Sequence, residues 1–202
     1  MTIPQVLQHS TGLESATRRR LFGAALTGVV LIGASACAQP VPQAPTGNAE
    51  TVAAVNFRMA MRKLWEEHIT YTRNFIISAL AALPDQTAVT QRLLRNQDDI
   101  GNAIKPYYGD APGAQLTLLL RDHIAIAADI VGAAKAADAA LVATKQQEWT
   151  ANGVALALLL SGANPNWARA DLEGMLQRHL DLTTGEVVAR LGADWEADIH
   201  SY

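Results

Sequence analysis

From residue 49 to the end of the chain, apolar residues recur at spacings of three and four almost without a break. That is the period of one buried face of an α-helix. Interruptions fall at Pro84-Asp85, at the stretch 105–113 (KPYYGDAPG), near Asp138, at 161–166 (SGANPN) and at Gly192. Asp85, Asp110, Asp138 and Asn166 stand where N-caps belong, because their side-chain oxygens can accept the orphan N–H groups of a helix start. The pattern predicts helices over 49–83, 86–104, 112–136, 139–161 and 167–191, with a sixth starting near 195. No segment alternates with a period of two, so no strand is expected. The expected class is all-α: an antiparallel bundle of about five to six helices joined by short turns.

A longer period runs beneath the short one. Three of these helices carry the segments LWEEHITYT (64–72), LLRDHIAIA (119–127) and MLQRHLDLT (175–183). Each has a large apolar residue four before a histidine, Trp or Leu three before, two polar residues, the histidine, then Ile or Leu. His68, His123 and His179 are thus 55 and 56 residues apart, and after residue 37 only His200 lies outside the series. Asn96 and Asn152 are 56 apart on the intervening helices, each followed by Ile or Leu at +4 and +8. The expected unit is a helical hairpin of about 55 residues, with a His on its first helix and an Asn 28–29 residues later on its second. A unit of this kind buries its apolar face only against its neighbours. The third Asn position would fall near 207, beyond Tyr202, so the third unit is expected to be incomplete.

The N-terminus belongs to a different category. Residues 16–21 (ATRRRL) lead into LFGAALTGVVLIGASA, an uncharged run of about 16 residues, short of the ~20 needed to span a bilayer. Basic residues, a short apolar run and small residues at Ala34-Ser35-Ala36 make an export signal, and TRRRLF resembles the twin-arginine type used for proteins exported already folded. The single cysteine, Cys37, follows at once. It is read as the lipid-modified first residue of a lipoprotein, with Ala34 in place of the more usual leucine of the lipobox; the alternative is an ordinary cleavage after ASA. Residues 38–48 carry three prolines and no charge and are expected to form a tether. The expected organisation is therefore an export signal over 1–37, a tether over 38–48 and a helical domain over 49–202, placed in the periplasm or cell envelope. With one cysteine no disulfide forms within the chain, so stability rests on the core.

Charge narrows the partners. Beyond Cys37 there are 13 basic and 18 acidic residues, a net charge of about −5, with no basic stripe. Nucleic acid is not an expected partner; a lipid anchor through Cys37, and an unidentified small ligand or envelope protein, are.

Three histidines on stacked units offer imidazoles for a transition metal such as Zn²⁺, Cu²⁺ or Fe²⁺. The local spacings are not those of known helical metal boxes: residue −3 is Trp65, Leu120 or Leu176 rather than Glu, and residue +4 is Thr72, Ala127 or Thr183. Glu186 shares a face with His179, but seven residues place it ~10 Å along the axis. The competing reading is structural. A buried neutral His donates through one ring nitrogen and accepts at the other, so Asn96, Asn152, Thr72 and Thr183 are candidate polar partners, with Trp65 packed on the His68 ring. No nucleophile stands in a catalytic context, and Glu66-Glu67 and Asp98-Asp99 read as solvated faces. Tyr107, Tyr108, Trp149, Trp167 and Trp195 would either line a cleft or seal the ends of the bundle.

The stretches LLRNQDDIGNAIKPYYG, LLRDHI, RHLDLT and VARLGADWEADIHSY resemble an exported bacterial helical family of unassigned function, over residues 61–202. Members of that family sometimes carry the labels acetylglutamate kinase or glycosyltransferase. The resemblance implies a helical fold that runs on past the position of Tyr202, and no active site. Neither label fits these residues, since there is no Gly-rich phosphate loop and no strand to place one on. The expected function is a binding or interaction module rather than an enzyme, with a buried histidine metal site as the alternative.

Overall fold

The computed structural model describes residues 51–202, which are helical throughout apart from the turns. The export signal and tether expected over 1–48 lie outside the described residues. Six helices follow one another: α1 (Val52–Ala81), α2 (Gln86–Tyr108), α3 (Asp110–Lys135), α4 (Ala139–Ala163), α5 (Arg169–Leu191) and α6 (Trp195–Ser201). They pack against one another as a bundle, and no strand occurs among the described residues.

The main departure from the expected bounds lies at 105–113. That stretch is nearly all helix, with Gly109 alone between α2 and α3. Pro106 sits in the last turn of α2, and Pro112 sits in the first turn of α3, where a missing N–H leaves nothing unpaired. Gly109 supplies the φ of 90° that the sharp reversal needs.

The four expected N-caps divide. Asp138 caps α4 by accepting from Leu141 N at 3.0 Å. Asp85 makes no cap bond and instead accepts from Ser78 Oγ at 2.8 Å, tying α1 to the turn after it. Asp110 lies inside the first turn of α3, where its charge suits the helix dipole. Asn166 precedes α5 by three residues and bonds to Asn164 instead. Two caps went unassigned in the sequence: Thr51 accepts from Ala54 N, and Asp194 from Ala197 N.

α1, α3 and α5 all end in the same way. Ala82, Ala137 and Ala193 have φ of 52°, 60° and 55°, each fourteen residues after His68, His123 or His179. The following N–H groups, of Leu83, Asp138 and Asp194, bond to the carbonyls of Ser78, Ala133 and Ala189, five residues back. This is a Schellman-type closure made with alanine where glycine is usual.

α2 packs against both α1 and α3, and α4 against both α3 and α5. α1 also meets α3 and α5 directly, so α1, α3 and α5 form an inner layer with α2 and α4 outside it. At the α2–α3 crossing Gly101 and Gly113 face each other. A Cβ on Gly101 would lie 2.7 Å from the carbonyl oxygen of Gly113, so that approach requires glycine.

The short α6 is held by charge. Arg73 of α1 donates to both carboxylate oxygens of Asp198, at 3.0 and 3.1 Å, and to Glu186 of α5 at 2.6 Å. Arg190 adds a 2.6 Å bond to Asp198, whose residue is 2% exposed. Tyr202 lies under the Arg73 guanidinium, 4.6 Å from it. Burial pushes the Glu186 carboxyl up, against the opposing pull of Arg73.

Candidate functional site

The inner layer brings the three histidines together. The ring centres of His68 and His123 are 6.4 Å apart, those of His68 and His179 6.0 Å, and those of His123 and His179 5.8 Å. His68 and His123 are each 3% exposed, and His179 is partly buried. Each sits mid-helix, with the apolar residues around it at helical spacing pinning α1, α3 and α5 to the core.

Two of the rings have their tautomer set by amide side chains. Asn152 donates its amide to the carbonyl of Leu119 at 3.0 Å, which turns Oδ1 toward His123 Nδ1 at 2.9 Å. A carbonyl oxygen only accepts, so the ring proton is on Nδ1 and the Nε2 lone pair is free of it. Gln97 donates to the carbonyl of Leu93 at 2.8 Å and to Asn96 Oδ1 at 3.2 Å, and so presents Oε1 to His68 Nδ1 at 3.2 Å. The same tautomer results.

The expected partner of His68 is therefore corrected. Asn96 is one residue off and donates to the carbonyl of Leu64, four before His68, as Asn152 does to Leu119, four before His123. In α2 two side chains share what Asn152 does alone. Gln97 was missed because the alignment followed residue type; the spacing of 29 common to His68–Gln97 and His123–Asn152 was the available signal.

His179 has no hydrogen bond to its ring among the described residues. Thr183 Oγ1 returns to the carbonyl of His179 at 2.9 Å, along its own helix, rather than to the imidazole. Thr72 Oγ1 is buried with no partner among the described residues, so neither threonine serves a histidine ring. With Ala127 they line a cavity of about 20 Å³, one turn beyond the histidines, too small for an organic ligand.

Aromatic rings close the centre. Trp65 meets His68 edge-on at 5.7 Å, as expected from its place at −3. Trp149 packs on His123 at 5.0 Å and donates its indole N–H to the His123 carbonyl at 3.1 Å. The other aromatic candidates lie apart: Tyr107 packs on Phe57, Tyr108 accepts from Asn164, Trp195 lies under Arg190, and Trp167 is exposed. They form no common cleft.

All three histidines are held neutral. Burial, with the neighbouring imidazoles adding, pushes His68 down to about 3 and His123 to about 4, and burial lowers His179 as well. As the side chains are placed, no group of three His, Cys, Asp or Glu among the described residues is set around one point to hold a metal ion.

The fold and the centre define a class, an all-α bundle with a buried cluster of neutral histidines. No protein-family model, curated protein or solved structure matches the chain.

Proposed function

We propose that the three-histidine centre binds a transition-metal ion, and that the chain is a small exported metalloprotein built from ~55-residue hairpin units. The observation that supports this most is the convergence of His68, His123 and His179, with two of them already in the tautomer that leaves Nε2 for a ligand. Histidines that ligate metals characteristically give their other N–H to a carbonyl or carboxylate, which orients the ring; Gln97 and Asn152 are in that place.

The distances are close to what a tripod needs. The point midway between the rings is about 3.5 Å from each ring centre, against about 3.3 Å for imidazoles at a Zn–N distance near 2.1 Å. As placed, the three side chains do not surround one point, so binding requires each ring to turn its Nε2 inward. The units are supported by the repeated His–amide spacing of 29 and by the three alanine turns of positive φ. Export rests on TRRRLF and the apolar run after it, and a lipid anchor on Cys37. Among the described residues no helix is long and apolar enough to cross a membrane.

The test is metal analysis of the protein purified without chelators, followed by titration with Zn²⁺ and Co²⁺. One equivalent of metal, with a tetrahedral Co²⁺ absorption band that His123→Ala abolishes, is the expected result. Protein that holds neither ion after reloading, while His123→Ala merely lowers the melting temperature, overturns the proposal.

A second reading, an interaction module of the cell envelope, is favoured by apolar side chains that α1 and α5 leave exposed, among them Ile69, Met175 and Leu182.

A further inference from the structure

Thr70, Thr117, Thr144 and Thr183 each return their hydroxyl to the carbonyl four residues back on their own helix. Thr72, four residues after His68, makes no such bond. Its Oγ1 is buried and has no partner among the described residues. A buried hydroxyl left unbonded costs free energy, and in native proteins it marks a place where a bound water, ion or ligand is to be sought.

The position of Thr72 recurs on the other two inner helices. Thr72, Ala127 and Thr183 each follow a histidine of the cluster by four residues, one turn on along the same helix face. All three line the cavity of about 20 Å³. Small side chains at this level leave the space open. On the other side of the cluster the residues three and four before the histidines are large. Leu64, Leu119, Leu120 and Leu176 belong there to one packed apolar cluster. The line through the centre of the three rings is therefore plugged by leucine in one direction and opens into the cavity in the other.

We propose that the metal held by His68, His123 and His179 keeps its fourth position open toward this cavity, and that Thr72 hydrogen-bonds the small ligand bound there. This rests on the metal site proposed above and adds the class of ligand it takes. A tetrahedral metal with three imidazole ligands has one position left, on the axis of the tripod, and only the cavity side has room for it. A water needs on the order of 10–15 Å³, so the cavity of about 20 Å³ holds one water or a diatomic molecule. Its other walls are largely apolar, Phe75, Ile76, Ile130 and Val187 among them. The resident ligand is an exchangeable water, and a diatomic ligand such as cyanide replaces it. The Thr72 hydroxyl can accept from a bound water or donate to a bound anion. Thr183 already gives its hydrogen to the carbonyl of His179.

The experiment loads the full chain with Co²⁺ and follows its visible absorption during titration with cyanide, and separately with imidazole, which is too large for the cavity. Bound cobalt is counted after each titration. Cyanide is expected to shift the band with the cobalt retained, and imidazole to leave it unchanged. Thr72→Val keeps the shape of the side chain and loses the hydroxyl; it should hold one equivalent of cobalt and bind cyanide about 10–100-fold more weakly. Ala127→Val fills the cavity and should hold cobalt without responding to cyanide. Cyanide that leaves the band unchanged or strips the cobalt overturns the proposal while metal binding itself stands. So does imidazole that shifts the band as cyanide does, or a Thr72→Val chain that binds cyanide as tightly as the unaltered one. A chain that takes up no cobalt overturns both the open position and the metal site.

Discussion

Asn152 joins two places on α3 at once: its Oδ1 is 2.9 Å from His123 Nδ1, and its amide nitrogen is 3.0 Å from the carbonyl of Leu119, one turn earlier. The side chain thereby fixes the register of α4 against α3, the tautomer of a buried ring and the direction of its free lone pair. Asn152→Ala leaves the buried His123 ring N–H without a partner and removes the second hydrogen bond to the Leu119 carbonyl. A loss of about 2–3 kcal/mol is expected, read as a fall in melting temperature of roughly 5–10 °C. In metal-loaded protein the same change should weaken affinity by about 10–100-fold.

Acid should unfold the metal-free protein through its histidines. The titratable groups that face each ring are the other two imidazoles, and burial lowers His68 and His123 to about 3 and about 4. A depressed histidine value means that the unfolded chain takes up protons the fold refuses. Stability is therefore complete above the ordinary histidine value near 6.5 and falls as the pH drops through it. At pH 5.5 the loss is about 1.4 kcal/mol for each such histidine. Urea midpoints at pH 7.5 and 5.5 check this, and a His123→Leu chain should show a shallower fall.

Arg73 holds two buried carboxylates that no other single residue could satisfy. Arg73→Met strands Glu186 and leaves Asp198 to Arg190 alone. A cost of about 3–5 kcal/mol is expected, with α6 losing hydrogen-exchange protection before the rest of the bundle. Equal protection of α6 in the variant would show that the ion network is not what docks it.

The three alanine turns are a stability reserve. A left-handed alanine costs about 1 kcal/mol relative to glycine, and these residues lie just past their helices. Ala82→Gly, Ala137→Gly and Ala193→Gly should each raise stability by about 0.5–1 kcal/mol and add together in the triple variant. Thermal melts of the four chains test it.

Much of the bundle was legible along the chain. The 3–4 spacing marked all six helices because each buries one face, and that demand is written locally in the side chains. Where local signals misled, a neighbour had outbid them. Asp85 has the residue type of an N-cap, but Ser78 lies within reach of its carboxylate. The stretch 105–113 has the composition of a loop, yet both its prolines fall in terminal turns that tolerate them.

The sequence by itself determined the helical class, the histidine series and its period, since these are properties of spacing. Which amide serves His68 was decided only in three dimensions. Consecutive residues on a helix point about 100° apart, so Asn96 and Gln97 face different neighbours, and position rather than residue type selects the partner. The meeting of His68, His123 and His179, and of Arg73 with Asp198 across 125 residues, belongs likewise to the tertiary structure. Periodicity reports which face of a helix is buried, whereas the point where three such faces converge depends on how the helices cross and on which grooves between them are filled.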